Sequence, residues 1–100
     1  MKIWVDDVRP APEGYDCCLS VNQAKACIEW AMKCNKSIEL LDIDHDAGDY
    51  AFNGGDYIEI LNWLEEYDIC YFPIRIHSMN PVGVANMRKI IERNGWEEVK

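Results

Sequence analysis

The chain has two histidines, and each stands in a polar cluster that closes an apolar run. The first cluster is Asp42-Ile43-Asp44-His45-Asp46-Ala47-Gly48, and the second is His77-Ser78-Met79-Asn80-Pro81-Val82-Gly83. A third, Asp6-Asp7-Val8-Arg9-Pro10, follows Ile3-Trp4-Val5 near the N-terminus. Imidazoles next to carboxylates suit general acid–base chemistry. Paired aspartates at a strand end suit a hard cation such as Mg²⁺, which takes oxygen ligands; the bland alternative is a solvated turn. Arg9 either faces an anionic ligand or pairs with Asp7. The spacing of Asp42, Asp44 and Asp46 suggests a calcium loop, but Ala47 and Asn53 stand where that loop needs Gly and Glu. On a strand, Asp42 and Asp44 share one face. The segment from Asn80 to Gly83 reads as a helix start whose free amides favour an anion, with Gly83 allowing close approach.

These clusters need elements to hold them. Ile3 to Val5, Tyr15 to Leu19, Ser37 to Ile43 and Phe72 to Ile76 read as strands, with 96–99 as a short edge strand or a packed tail. Ser20 and Gln23 form a capping box for a first helix with the apolar stripe Ala24, Cys27, Ile28, Ala31. Asp56 and Glu59 give a second capping signature, ahead of a buried face made by Tyr57, Ile60, Leu61 and Leu64. Asn80 caps a third helix, Pro81 fits its first position, and Asn94-Gly95 ends it. Strands alternating with helical segments predict an α/β fold with a mainly parallel sheet and helices on its faces. The exception is the stretch from Arg9 to Gly14, a Pro- and Gly-containing loop too short for the usual helix.

With 100 residues, the chain is expected to form a single domain over 1–100. A net charge of −8 argues against an extended surface for duplex nucleic acid. It also means that an acidic site meets phosphate only with a cation or protonated groups present. No apolar stretch approaches the ~20 residues of a membrane span. The run after Met1-Lys2 lacks the form of a signal peptide. The five cysteines contain no CxxC pair, so they are expected as small core residues in a reducing cytoplasm. Trp30, Trp63 and Trp96 are expected to be core or partly buried.

Ile3-Trp4-Val5-Asp6-Asp7 with Arg9-Pro10, then Asp44-His45-Asp46-Ala47-Gly48, then His77-Ser78-Met79-Asn80-Pro81-Val82-Gly83 together resemble the cyclic-phosphate processing receiver-like domain, an offshoot of the response-regulator receiver fold. The resemblance covers nearly the whole chain. It implies a receiver-like (flavodoxin-like) three-layer sandwich with four or five strands and a role in processing cyclic phosphates. Asp6, Asp7, Asp44 and Ser78 match the acidic and hydroxyl positions of a receiver. The receiver lysine has no counterpart beyond the last residue, Lys100, which speaks against ordinary phosphorelay. The expected activity is opening of a cyclic phosphodiester, on a cyclic nucleotide or a 2′,3′-cyclic RNA end. His45 and His77 would be catalytic, one activating water and the other protonating the leaving oxygen. Asp6, Asp7 and Asp44 would hold Mg²⁺ or Mn²⁺, with Asp42 and Asp46 in support. Arg9, Ser78, Asn80, Val82 and Gly83 would bind the phosphate. The alternatives are a non-catalytic module that binds or sequesters the same ligand, and a phosphoaccepting signalling receiver.

Overall fold

A computed structural model describes residues 1–100. Five strands, β1 (Lys2–Val5), β2 (Tyr15–Cys18), β3 (Leu40–Ile43), β4 (Ile74–Ile76) and β5 (Glu98–Val99), alternate with three helices, α1 (Val21–Lys33), α2 (Ile58–Tyr67) and α3 (Pro81–Asn94). Every pairing is parallel, in the order β2-β1-β3-β4-β5. This is the receiver-like α/β fold. None of the helices is long and apolar enough to cross a membrane.

Local chemistry sets the helix ends. Ser20 Oγ accepts from Gln23 N at 3.1 Å, the N-cap bond that starts α1, while Gln23 Oε1 reaches one residue past the capping-box position and accepts from Leu19 N at 2.7 Å. Asn80 Oδ1 accepts from Gly83 N at 3.0 Å to start α3, and Gly95 at φ +67° ends it. The expected cap on α2 does not form. That helix begins at Ile58 without a side-chain cap, because Asp56 Oδ1 is taken by the Ala47 N–H at 3.0 Å. Two strands are also shorter than their apolar runs. Residues 37–39 and 72–73 lie outside β3 and β4 because pairing begins only at Leu40 opposite Lys2 and at Ile74 opposite Leu41.

The three helical crossovers all step the same way across the sheet, so right-handed connections put α1, α2 and α3 on one face. Their buried stripes pack with Ile3, Val5, Leu41, Ile43 and Ile74 into one core. The connection from β1 to β2 steps the other way, which puts residues 6–14 on the opposite face. The third layer is therefore a loop and not a helix. It is anchored by the Trp4 indole N–H, which donates to the Arg9 carbonyl at 3.0 Å. Trp4, Asp42 and Arg75 stand side by side in register beneath it. The cysteines and Trp30 depart from expectation: only Cys18 is fully buried, Cys17 and Cys34 are exposed, and Trp30 is half exposed.

Candidate functional site

The crevice of an open parallel sheet lies beyond the carboxyl ends of its strands. Here those ends deliver Asp6 and Asp7 after β1, Asp44 to Asp46 after β3, and His77 and Ser78 after β4. The ladder continues slightly past the strands, with Asp44 N donating to the Val5 carbonyl at 2.9 Å and His77 N to the Ile43 carbonyl at 3.0 Å. That continuation fixes the backbone on which the polar side chains stand.

His77 lies flat against Trp4, with ring centroids 3.8 Å apart and planes within 6°. Its Nδ1 faces Asp42 Oδ1 at 2.6 Å and its Nε2 faces Asp6 Oδ2 at 2.9 Å. One carboxylate at each nitrogen suits a ring that donates from both. Arg9 closes the outside by donating to the His77 carbonyl at 2.7 Å, and it lies 3.6 Å from Asp6 Oδ2. Its carboxylate partner is thus Asp6 and not Asp7, the partner named in one of the two readings of the sequence. Burial pushes the Asp6 carboxyl up. The Val8 and Arg9 N–H groups and His77 outweigh that and hold it below the ordinary range. Asp42 Oδ2 is buried without a hydrogen bond, and the Arg75 guanidinium stands 3.5 Å away.

Asp6, Asp7 and Asp44 bring ligand oxygens within 4.8 Å of one another. Three hard anionic donors at that spacing fit Mg²⁺ or Mn²⁺. The crowding leaves its mark on Asp7, whose carboxyl is raised by burial, with the charges of Asp6 and Asp44 adding to the effect. Gly48 makes room for it: a Cβ there would sit 2.3 Å from Asp7 Oδ2, and its φ of +53° also favours glycine. These acidic clusters could hold a metal.

His45 belongs to a different neighbourhood. Its Nδ1 lies 2.8 Å from Asp46 Oδ1, its backbone N–H donates to Asp44 Oδ1 at 2.8 Å, and its carbonyl accepts from Tyr57 N at 2.9 Å. The ring packs on the first turn of α3, where a Cβ on Gly83 would meet its Cγ at 2.4 Å. The hydrogen bond from His45, opposed by burial and helped by Asn80, holds the Asp46 carboxyl low. Asp56 joins His45 and Asp46 in a second group within 4.8 Å.

The strand ends thus bring Asp6, Asp7 and Asp44 together, and His77 joins them through Asp6. The two imidazoles share no partner. His77 lies with Trp4, Asp42 and Asp6, and His45 lies against α3 with Asp46, so each imidazole of the expected pair is held by carboxylates of its own. Among the expected phosphate ligands, Ser78 Oγ accepts from Asn80 N at 3.1 Å, and Asn80 is spent as the helix cap. Pro81 has no N–H and the Gly83 N–H is taken by Asn80 Oδ1, which leaves the N–H of the exposed Val82 as the free amide in the first turn of α3. Trp4 and Arg75 were not singled out as site residues by sequence, and Asp56 was read only as a helix cap. Trp4 carried a signal nonetheless, since alternation puts it on the face of Asp6. The largest groove of the molecule, about 590 Å³, is lined by other residues, on β2 and α1.

The family model of the cyclic-phosphate processing receiver domain matches residues 1–93. No curated protein and no solved structure matches the chain.

Proposed function

The chain belongs to the cyclic-phosphate processing receiver domains, which links its role to cyclic-phosphate processing, and from that premise we propose that it opens a cyclic phosphodiester on a nucleotide or a 2′,3′-cyclic RNA end. The observation that carries this reading is the set of three carboxylates, Asp6, Asp7 and Asp44, of which Asp44 accepts from the His45 N–H. A divalent cation held there would neutralise phosphate charge that an acidic edge otherwise repels.

The chain's own groups divide the remaining work. With Nδ1–H donating to Asp46, His45 has its lone pair on Nε2, which no protein group occupies. That nitrogen takes a proton from water as the water oxygen bonds to phosphorus and one ring P–O bond breaks. The same proton then returns to the departing oxygen. His77 does not move protons in this scheme, because carboxylates hold both of its nitrogens. It positions Asp6 against the cation.

The test is turnover of 2′,3′-cyclic and 3′,5′-cyclic mononucleotides with and without Mn²⁺, followed by phosphorus NMR. His45→Ala is expected to lower the rate on the order of a hundredfold or more while preserving the fold. Full activity in that variant would refute the role of His45. The engagement of both His77 nitrogens favours one second reading, a module that binds the cyclic phosphate without hydrolysing it. Saturable binding with no product under any metal condition would establish that reading instead.

A further inference from the structure

The large apolar side chains most exposed to solvent are Val8, Phe52, Met79 and Val82, at 80 %, 84 %, 84 % and 71 %. All of them stand on the segments that follow the carboxyl ends of the strands. Val8 comes after Asp7, and its N–H donates to Asp6 Oδ1 at 2.9 Å. Met79 lies between Ser78 and Asn80, whose Nδ2 is 3.4 Å from both oxygens of Asp46. Val82 precedes Gly83, on which the His45 ring rests. Phe52 belongs to the segment that begins at Gly48 beside Asp7, and its neighbour Asn53 donates to Ser20 just after β2. Single exposed apolar side chains are ordinary, but a gathering of them at one edge marks a binding surface.

The pattern of charge says what kind. A protein–protein interface places apolar residues at its centre and charges at its rim. Here the order is inverted. The carboxylates of Asp6, Asp7 and Asp44 follow the central strands β1 and β3, with Phe52 tied toward β2 on one side and Met79 and Val82 beyond β4 on the other. A small ligand with an anionic group for a cation at the centre and a flat, uncharged part for the rim fits that order. A nucleoside phosphate has both. Charge also limits its size. Arg9 is the one Lys or Arg in residues 6–14, 44–57 and 77–83, against seven Asp or Glu. It is already engaged with the His77 carbonyl and Asp6. A bound cation can balance one phosphate, but the further phosphates of an RNA strand would meet carboxylates without a counter-charge.

We propose that these side chains hold the base of a cyclic mononucleotide whose phosphate lies at the carboxylates, so that the mononucleotide and not an RNA end is the substrate class. The inference rests on the cyclic-phosphate reading of the same site. Phe52 offers an aromatic face to the base and Met79 an adaptable thioether. Such contacts use the face of the ring, so they tolerate any base.

The experiment measures binding to the whole chain by calorimetry with Mn²⁺ present. The probes are adenosine 2′,3′- and 3′,5′-cyclic phosphates, the corresponding ribose cyclic phosphates without a base, and a triadenylate ending in a 2′,3′-cyclic phosphate. The adenosine ester is expected to bind about tenfold or more tighter than its base-free counterpart. The triadenylate should bind no tighter than the mononucleotide. Combining Phe52→Ala with Met79→Ala should remove most of the preference for the base, and neither side chain is part of the core. Equal binding with and without the base would overturn the inference and leave the cyclic-phosphate reading standing. So would a preference that survives in the double variant, or tighter binding of the triadenylate. Failure of every probe to bind would refute the cyclic-phosphate reading itself, and the inference with it.

Discussion

Gly83→Ala ought to be a favourable change by helix propensity, since alanine exceeds glycine by about 1 kcal/mol inside a helix. The geometry predicts the opposite. The new Cβ would lie 2.4, 2.6 and 2.8 Å from Cγ, Cδ2 and Nδ1 of His45, whereas carbon atoms in contact sit roughly 3.5–4.0 Å apart. The ring would have to retreat by about 1 Å. It is not free to do so, because the His45 N–H, carbonyl and Nδ1 are each tied by a hydrogen bond of 2.8 or 2.9 Å. Overpacking of this kind costs about 1–3 kcal/mol, and a disturbed bond to the Asp46 carboxylate adds about 1.5 kcal/mol. Less the propensity gain, the net loss is about 2 kcal/mol, read as a shift of the urea midpoint at constant slope. In a His45→Ala background the obstacle is absent, so the same substitution should stabilise by up to about 1 kcal/mol. The sign should therefore invert between backgrounds, with a coupling of about 2–3 kcal/mol. Equal effects in both backgrounds, or a gain in the wild type, would show that the ring does not rest on α3.

Millimolar Mg²⁺ or Mn²⁺ should raise the melting temperature by binding only the folded chain, and Asp7→Asn should remove most of that rise in a calorimetric titration. Asp42→Ala should be strongly destabilising, by about 3 kcal/mol or more, because it strips a buried partner from His77 and leaves Arg75 without its carboxylate; a change below about 1 kcal/mol in urea would contradict that. Ser20→Ala should cost about 1–2 kcal/mol, since its hydroxyl caps α1 and also accepts from Asn53 Nδ2 at 3.0 Å. The companion Asn53→Ala then separates the two contributions in the same assay.

Features governed by neighbours in sequence were legible. Ser20 with Gln23, Asn80 with Pro81, and Asn94 with Gly95 mark helix ends through contacts spanning a few residues, and each lies at the predicted boundary. The three polar clusters likewise declared themselves as strand ends. What escaped depends on register. Asp42 meets His77 across 35 residues and Asp6 meets it across 71. Only the pairing of β1, β3 and β4 determines that both ring nitrogens are taken. Asp56 misled for the same reason: its capping signature was sound locally, but a distant N–H at Ala47 claimed the oxygen. Strand lengths were overstated at Ser37 and Phe72 because an apolar run says nothing of how short its partner is. The division of the two histidines between different carboxylates follows from a ring lying on a glycine in another element, which no spacing reveals.

The connection from Val5 to Tyr15 has a mechanical consequence. Parallel neighbours are ordinarily joined by a dozen or more residues, and here residues 6–14 must leave the carboxyl end of β1 and return to the start of β2. Two strand lengths of four residues are aligned Lys2 to Tyr15, so the path back is about 13 Å before any allowance for clearing the sheet. Nine residues at full stretch reach only about 30 Å, and two prolines, Pro10 and Pro12, stiffen part of that length. That length exceeds the span, but the start of the loop is pinned: Asp6 N donates to the Cys18 carbonyl at 3.3 Å, and Asp6 Oδ1 accepts from the Val8 and Arg9 N–H groups. Asp6 and Asp7 occupy its first two positions, so they cannot swing toward a ligand without dragging the edge strand with them. An incoming cation or phosphate then meets carboxylates already in place and spends little of its binding free energy on arranging them. The same tether limits how far this rim can adapt to ligands of different reach.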